Sequence, residues 1–318
     1  MVRKKSLKKQ RKQKSPKKQK KQKSPKKQRK LKEKTFKQKW KKSICHPKQK
    51  NKTSCLTTDA LKKLKSKWNI RKPNDQIKSN DPKKIWIFFK NRYSNSCDNE
   101  KCWLKQNAIE DGLTKEEINN LYAPTHPVSW KKNKNEWLSN FDIEKVMKQY
   151  EDTYPDFSFI GATPIDFDFR KADGKCVWNE LCKFQLEDYI KKHKRKIGII
   201  FNTDKHNEDG AHWIAMFIDI SKEDPYIFFF DSTGDPIPNE IKKLQDRIIE
   251  QGKLLDINFK IENTTKIKHQ KNDTECGIYC LYLLINLIEE KKKIKDFKNK
   301  IISDEDMEPF RQIYFNSD

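Results

Sequence analysis

The feature that most constrains the fold is a polar loop that runs directly into a long apolar segment. The loop is His269-Gln-Lys-Asn-Asp-Thr-Glu275, and the apolar segment extends from Cys276 to Ile288. This composition predicts a buried helix that starts near Cys276. The first turn of a helix offers unpaired backbone N–H groups and the positive end of the dipole, and both favour a thiolate. The segment therefore predicts a nucleophilic cysteine.

Two residues near Cys276 suit the same chemistry. Gly277 has no Cβ and would let the backbone of a substrate come close. Gln270, six positions before the cysteine, can direct its side-chain amide at the negative charge that develops on a carbonyl oxygen. We therefore predict that Gln270 stabilises an oxyanion and that Gly277 contacts substrate.

A base and its partner are predicted on two adjacent strands. His212 opens the strand pattern that ends at Ile220, and Asp231 directly follows the apolar pattern Tyr226–Phe230. Adjacent strands of similar length bring such residues to one edge of a sheet. A cysteine nucleophile needs a base within hydrogen-bond reach and a third group that orients the base. His212, Asp231 and Cys276 fill these three roles.

The other histidines and the second cysteine of the segment are weaker candidates. His206 lies in a polar loop, His193 in a run of basic residues, and His269 has no strand to hold it. A single histidine is more often a structural residue than a base, so these three are not assigned a role. Cys280 is four residues beyond Cys276 on the same helix face and is predicted to be a buried packing thiol.

The basic charge of the chain is concentrated at its beginning. Residues 1–50 contain 25 Lys and Arg against one acidic residue, and thus carry +24 of the net charge of +26. With almost no aliphatic side chains to bury, this tail is predicted to be disordered. The motif Ser-Pro-Lys-Lys occurs twice in it and resembles the minor-groove-binding repeats of linker-histone tails. We predict non-specific contact with nucleic acid at Lys17, Lys18, Lys26 and Lys27; the alternative is a solvated tail for solubility or nuclear import.

The composition also bears on membranes, redox state and metals. The sequence has no run of about 18 apolar residues and no apolar signal segment, so it predicts neither membrane insertion nor export. We expect the eight cysteines to be reduced thiols in a reducing compartment. Zinc is an alternative, but the spacings match no standard zinc module for Cys45, His46, Cys55, Cys97 and Cys102. The predicted chemistry requires no metal and no cofactor.

The remaining chain is predicted to contain a small, mostly helical arm over residues 53–125 and an α+β domain over residues 126–318. The arm has a helical pattern at Leu56–Trp68 and a Thr-x-x-Glu capping box that starts at Thr114. The domain begins with an amphipathic helix capped by Ser139 or Asn140. Further strands are predicted at Phe157–Ile160, Ile165–Phe169, Ile197–Phe201 and Leu254–Ile261, and further helices at Glu180–His193 and Ile237–Gln251.

Five separated elements together resemble one protein family. The chain contains, in this order, Trp137-Leu138-x-Asn140, His212-Trp213, Asp231-Ser232, Gln270 and Cys276-Gly277. This is the order found in the adenain and SUMO-protease class of papain-like cysteine proteases, and the resemblance spans about residues 130–290. Asn140 and Glu275 depart from the family, which usually has Asp at both positions.

The resemblance implies a papain-like α+β fold of the adenain and SUMO-protease type, with a central mixed sheet flanked by helices. It implies the roles given above to His212, Asp231, Cys276 and Gln270, with the backbone N–H of Cys276 as a second oxyanion donor. It further suggests that two indoles close a narrow tunnel that admits only Gly-Gly before the scissile bond. Two indoles over an extended peptide leave no space for a Cβ. These indoles belong to Trp137 and Trp213, and the alternative for each is core packing.

With an arm before the protease domain, the chain looks most like the maturation proteases of large cytoplasmic DNA viruses, the African swine fever virus type. We therefore expect a cysteine endopeptidase that cuts viral structural polyproteins after Gly-Gly during virion maturation. Its expected location is the virion and the cytoplasmic assembly site, or alternatively the nucleus. Two other functions remain open, namely a deconjugating protease for SUMO-like or ubiquitin-like modifiers, and a nucleic-acid-binding virion protein on an inactive protease fold. The sequence does not predict the oligomeric state.

Overall fold

The computed structural model describes residues 40–49 and 53–317. Lys17, Lys18, Lys26 and Lys27 lie outside the described residues, so their contact with nucleic acid stays a prediction. Across the described ranges, every helix is too short or too polar to span a bilayer.

The arm forms a helical unit with its own hydrophobic cluster. In the described part of the chain its helices are α1 (Thr58–Arg71), α2 (Pro82–Arg92), α3 (Glu100–Trp103) and α4 (Lys115–Leu121). Trp68, Phe89 and Trp103 are almost completely buried between them. The capping box predicted for α4 is present, because the side chains of Thr114 and Glu117 each bond the backbone of the other residue. The extent of the arm as a separate domain stays a prediction.

A mixed sheet forms the centre of the larger domain. In sheet order, which is also chain order, its described strands are β1 (Phe157–Pro164), β2 (Lys196–Asn202), β3 (Trp213–Asp219), β4 (Tyr226–Phe230) and β5 (Lys260–Asn263). β1 and β2 are parallel, β3 is antiparallel to both of its neighbours, and β5 is parallel to β4. Consequently β3 starts at the same edge of the sheet at which the other four strands end.

Helices cover both faces of this sheet. One face packs against α5 (Asn140–Thr153), and the other against α6 (Asn179–Cys182), α7 (Leu186–Lys191) and α8 (Asn239–Lys253). The face of α5 also receives α9 (Cys276–Ile288), which is buried along its whole length. Side chains of β3 alternate between the two faces, with Ala215 and Phe217 towards α9 and Met216 on the other side.

The C-terminal segment (residues 291–317) returns across the loop that precedes α9 and reaches the arm. It contains α10 (Ile294–Lys298), α11 (Asp304–Met307) and α12 (Arg311–Tyr314); short 3-10 helices lie at Glu308–Phe310, Val128–Lys131 and Pro47–Gln49. The side chain of Asn316 accepts a hydrogen bond from the Ile44 N–H at 2.7 Å and donates to the carbonyls of Ile44 and Ala123. These bonds join the end of the larger domain to the segment before the arm, at Ile44, and to the end of the arm, at Ala123.

Three predicted elements differ from the structure. Ile165–Phe169 forms a turn instead of a strand, because the Phe169 N–H bonds the carbonyl of Asp166. Only the last two residues of the strand predicted over Leu254–Ile261 are extended within β5, since the chain first turns back onto the carbonyl of Gly252. The helix predicted over Glu180–His193 is interrupted at Lys183–Gln185 and forms α6 and α7.

The expectation of reduced thiols is wrong for six of the cysteines. Within the described residues, disulfide bonds join Cys45 to Cys55, Cys97 to Cys102, and Cys176 to Cys182. The prediction relied on the length of the chain, which is too long to need disulfides for stability, and on the need for a reduced Cys276; neither shows which cysteines approach each other in space. Cys276 and Cys280 are free and buried. No group of three or more His, Cys, Asp or Glu in this part of the chain is arranged to hold a metal ion.

Candidate active site

His212 and Asp231 meet at the edge of the sheet where β3 starts. His212 directly precedes Trp213, the first residue of β3, and Asp231 directly follows Phe230, the last residue of β4. Because β3 and β4 are antiparallel neighbours, both side chains emerge at this edge. Nε2 of His212 lies 2.9 Å from Oδ1 of Asp231.

The carboxylate of Asp231 is held by further donors. Its Oδ1 also accepts hydrogen bonds from the Thr233 backbone N–H at 2.8 Å and the Thr233 hydroxyl at 2.7 Å. The backbone N–H of Asp231 donates to Oγ1 of Thr264, which is completely buried. Asp231 itself is 3% exposed. Its carboxylate is therefore fixed in place, and it can fix the orientation of the imidazole.

The imidazole of His212 is hydrogen-bonded to both Asp231 and Cys276. Nε2 is the ring nitrogen that faces the carboxylate. Burial disfavours the charged ring, but the hydrogen bonds to Asp231 and Cys276 and the negative charges of both groups outweigh it. Together they raise the pKa of His212 from its ordinary value of 6.5 to about 10. A protonated imidazole is thus stabilised next to the sulfur.

Cys276 is the first residue of α9, where the sequence predicted the start of a helix. It is 1% exposed and belongs to the core cluster on the α9 face of the sheet. At this position the helix dipole favours a negative sulfur. Cys280, one turn later, is completely buried, and burial raises the pKa of its thiol well above the ordinary value. It is a packing residue.

Gln270 lies in the loop before α9, and its side chain is held at both ends. Oε1 accepts a hydrogen bond from the Ser232 hydroxyl at 2.7 Å, and Nε2 donates to the carbonyl of Asn272 at 2.6 Å. The backbone N–H of Gln270 donates to the carbonyl of Ser232 at 2.8 Å. Since Ser232 directly follows Asp231, the residues after β4 fix the side chains of both Asp231 and Gln270. An amide nitrogen carries two N–H bonds, so one remains after the bond to Asn272.

Trp213 and Trp137 are connected through Leu138. The indole N–H of Trp213 donates to the Leu138 carbonyl at 2.9 Å. Trp213 is 6% exposed, whereas Trp137 is 39% exposed. A Cβ on Gly277 would lie 3.1 Å from the Cβ of Leu138, so this glycine lets α9 pack closely against Leu138. Contact of Gly277 and of the two tryptophans with substrate stays a prediction.

The rival histidines have structural surroundings. His269 is completely buried, stacks on Phe230 and accepts a hydrogen bond from the Ile302 N–H at Nδ1, and burial lowers its pKa. Nδ1 of His206 lies 2.6 Å from a carboxylate oxygen of Asp166, at the border of a surface loop.

The combination of these groups is what covalent catalysis by cysteine requires. A buried sulfur at a helix start contacts an imidazole, and a fixed carboxylate holds the far side of that ring. The imidazole can accept the thiol proton and return it to a leaving group. An amide donor is fixed in the adjoining loop.

The comparison with protein families identifies the larger part of this domain. A family profile described as the C-terminal catalytic domain of the Ulp1 protease family matches residues 166–318, which include Cys276, His212, Asp231 and Gln270. This part of the chain is a Ulp1-family catalytic domain. The Ulp1 family is a family of cysteine proteases, so the chain carries a cysteine protease domain.

Two viral relatives match this protein over most of its length. A protein of Acanthamoeba polyphaga mimivirus that is named as a thiol protease is 25% identical over 295 residues, which cover 86% of this chain and 94% of the relative. A protein of African swine fever virus that is named as a SUMO-1 cysteine protease is 26% identical over 287 residues, which cover 86% of this chain and 95% of the relative. Both relatives are named as proteases that use a thiol.

A solved structure has the same fold as this protein. The crystal structure of the protease of African swine fever virus superimposes with a TM-score of 0.64 and covers 87% of this chain and 96% of the viral one, at 24% sequence identity. The predicted fold, an α+β protease of the SUMO-protease type with a central mixed sheet flanked by helices, is thereby confirmed.

Several residues that support the site were not predicted from the sequence. Glu275, next to Cys276, is 4% exposed and forms an ion pair with Arg311, whose Nε lies 2.9 Å from both carboxylate oxygens. Asp304 accepts hydrogen bonds from the backbone of the loop before α9. Glu275 stands out in the sequence as a charged residue next to a buried apolar segment, but nothing in the sequence pairs it with Arg311.

Proposed function

We propose that this Ulp1-family protease is an endopeptidase that cleaves after Gly-Gly with Cys276 as the nucleophile. His212 would act as general base and acid, Asp231 would orient it, and Gln270 with the Cys276 N–H would stabilise the oxyanion. The observation that carries the proposal is the position of the His212 ring between the Asp231 carboxylate and the sulfur at the start of α9.

The proposed reaction has two steps. His212 takes the proton of Cys276, and the thiolate forms a bond to the carbonyl carbon of the glycine before the scissile bond. The tetrahedral intermediate collapses, the C–N bond breaks, and His212 donates its proton to the leaving amine. Water then attacks the thioester, gives one proton to His212, and releases the carboxylate product, after which the proton returns to the sulfur of Cys276.

The preference for Gly-Gly is proposed on steric grounds. Trp213 is held by the Leu138 carbonyl, and the partly exposed Trp137 directly precedes Leu138, so both indoles belong to one local structure beside the start of α9. Indoles that close over an extended peptide would exclude any residue with a Cβ. Glycine would then be selected because larger residues are rejected.

The proposed substrates are structural polyprotein precursors of a virus, processed during virion maturation at the cytoplasmic assembly site. The support is the likeness over most of the chain to proteins of two large DNA viruses. One of these relatives is named as a SUMO-1 cysteine protease, so a SUMO conjugate is the appropriate competing substrate. Contact between the basic tail and nucleic acid remains a separate proposal.

The first prediction concerns Cys276 and the Gly-Gly preference. Cys276→Ala is expected to lower the kcat for a fluorogenic Gly-Gly-X peptide by about 10⁴-fold or more, because the nucleophile is lost. Cys280→Ala is the matched control and is expected to keep the activity. Peptides in which either glycine is replaced by alanine should be cleaved far more slowly.

Undiminished cleavage by Cys276→Ala would contradict the proposed nucleophile. Equal cleavage of Gly-Gly-X and Ala-Gly-X peptides would contradict the steric selection. Rapid processing of a SUMO conjugate by a preparation that leaves the Gly-Gly-X peptides intact would show a deconjugating protease instead.

A further inference from the structure

The loop that precedes the nucleophile is held from outside by the C-terminal segment. Oδ2 of Asp304 accepts hydrogen bonds from the backbone N–H groups of Lys271 and Asn272, both at 3.0 Å. Asp304 is the first residue of α11 and is 8% exposed. One buried carboxylate oxygen thus binds two consecutive peptide groups of the loop.

This contact lies one hydrogen bond away from the proposed oxyanion donor. The carbonyl of Asn272 accepts the bond from Nε2 of Gln270 at 2.6 Å. Asp304 holds the N–H of Asn272, and the carbonyl of the same residue holds the Gln270 amide, so Asp304 restricts the direction in which that amide points. The other carboxylate oxygen of Asp304 accepts from the Tyr279 hydroxyl at 3.2 Å, which ties the same group to α9.

Other bonds show that the C-terminal segment supports the loop along its length. The Ile302 N–H donates to Nδ1 of His269 at 3.1 Å, at the beginning of the loop. At its end, Arg311 pairs with Glu275 and donates to the Thr274 carbonyl at 2.9 Å. Arg311 also donates to the carbonyl of Glu136, directly before Trp137. Of these contacts, only the one through Asp304 leads to Gln270 by a single further hydrogen bond.

We infer that Asp304 is a positioning residue for oxyanion stabilisation, acting through Asn272 on the amide of Gln270. The inference rests on the proposed role of Gln270. A carboxylate suits this place because it accepts two N–H groups on one oxygen without competing as a donor. Loss of this contact misdirects the donor in the transition state and leaves the sulfur and its base in place.

The second prediction tests this role with four variants. Asp304→Ala is expected to lower kcat for the Gly-Gly-X peptide by about 10- to 100-fold with little change in KM, because the donor is misplaced where charge develops. Asp304→Asn should recover most of kcat, since its amide oxygen can accept both N–H groups and its NH₂ can face the Tyr279 hydroxyl. Asp304→Glu retains the charge but displaces the carboxylate, so its kcat should be lower than that of Asp304→Asn. Glu308→Ala, an exposed carboxylate nearby, is the control.

Two readouts separate positioning from general damage. The rate of Cys276 alkylation by iodoacetamide reports on the sulfur and His212, and in Asp304→Ala it should stay within about twofold of wild type. Hydrogen exchange at the Lys271 and Asn272 amides should become faster in the same variant, whether or not the peptide is the right substrate. If Asp304→Ala does not fold, the comparison of Asp304→Asn with Asp304→Glu still measures the role.

Full kcat in Asp304→Ala, or equal losses in Asp304→Asn and Asp304→Ala, would overturn the inference. So would an alkylation rate that falls in parallel with kcat. A wild-type enzyme that leaves the peptide intact would refute the proposed specificity, and the exchange data would then decide whether Asp304 holds the loop.

Discussion

At the scale of single residues, the hydrogen bond between His212 and Asp231 links the site to the stability of the fold. The pKa of His212 rises from 6.5 to about 10 on folding. Because the folded pKa is higher, the charged ring stabilises the folded state fully below about pH 6.5. This stabilisation is lost as the pH rises through about 10.

The third prediction follows from this shift. Asp231→Asn retains an acceptor for Nε2 but removes the negative charge, so the free energy of unfolding should fall by about 1–3 kcal/mol near pH 6. The difference from wild type should shrink as the pH approaches about 10, where wild-type His212 also loses its proton. Urea denaturation at several pH values measures both quantities. Asp235→Asn is the control, since this exposed carboxylate contacts Thr233 but has no bond to His212; a difference independent of pH would contradict the prediction.

The residues of the proposed chemistry were accessible from sequence because each borders a strong apolar pattern. Cys276 precedes a buried helix, and His212 and Asp231 flank strands whose facing edge follows from their order. Asp304 and Arg311 have no such signal. They lie among short helices with little periodicity, and their partners in the loop are largely backbone groups, which any residue type provides.

At the scale of secondary-structure elements, the start of α5 shows how a local signal supports the site. The Ser139 side chain accepts the Asp142 N–H, and the Asp142 carboxylate accepts the Ser139 N–H at 3.1 Å. This capping box fixes the chain directly after Leu138, whose carbonyl holds the Trp213 indole. The sequence indicated the cap and the buried face of this helix.

The fourth prediction is that Ser139→Ala lowers the free energy of unfolding by about 1 kcal/mol, because the cap of α5 is lost. Urea denaturation is the measurement. Ser129→Ala, at an exposed serine in the nearby 3-10 helix, is the control and should change stability by less than about 0.5 kcal/mol. Equal effects of the two substitutions would show that the cap contributes nothing specific.

Other elements were not predictable from local pattern, for identifiable reasons. Ile165 and Phe167 alternate as in a strand and are buried, yet they belong to a turn whose backbone is satisfied by Asp204 and by the turn itself. Burial of alternate residues follows from packing and does not by itself show extended backbone. The disulfide partners likewise depend on loop paths that periodicity does not describe.

At the scale of the whole molecule, the amide of Asn316 connects the end of the larger domain to the segment before the arm and to the end of the arm. Asn316 is 4% exposed and makes hydrogen bonds to the Ile44 N–H, the Ile44 carbonyl and the Ala123 carbonyl. Its own backbone N–H donates to the Pro124 carbonyl. The sequence indicated two units but gave no sign that Asn316 helps to join them.

The fifth prediction concerns this joint. Asn316→Ala should speed hydrogen exchange at the Ile44 amide and lower the free energy of unfolding by about 2 kcal/mol, because buried backbone groups lose their partners. Exchange measured on peptides that cover residues 40–49, together with urea denaturation, checks both effects. Ser317→Ala, at the adjacent exposed residue, is the control. Unchanged protection of Ile44 in Asn316→Ala would contradict the role of the amide.

Asp304 and Arg311 support the loop before Cys276, and this has a consequence for the order of events during translation. Cys276 leaves the ribosome before either residue that holds its loop. A nascent chain would therefore display the thiol while the peptide groups of Lys271 and Asn272 still lack their acceptor. We expect proteolytic activity to rise by the same 10- to 100-fold when the C-terminal segment folds back and Asp304 binds these peptide groups.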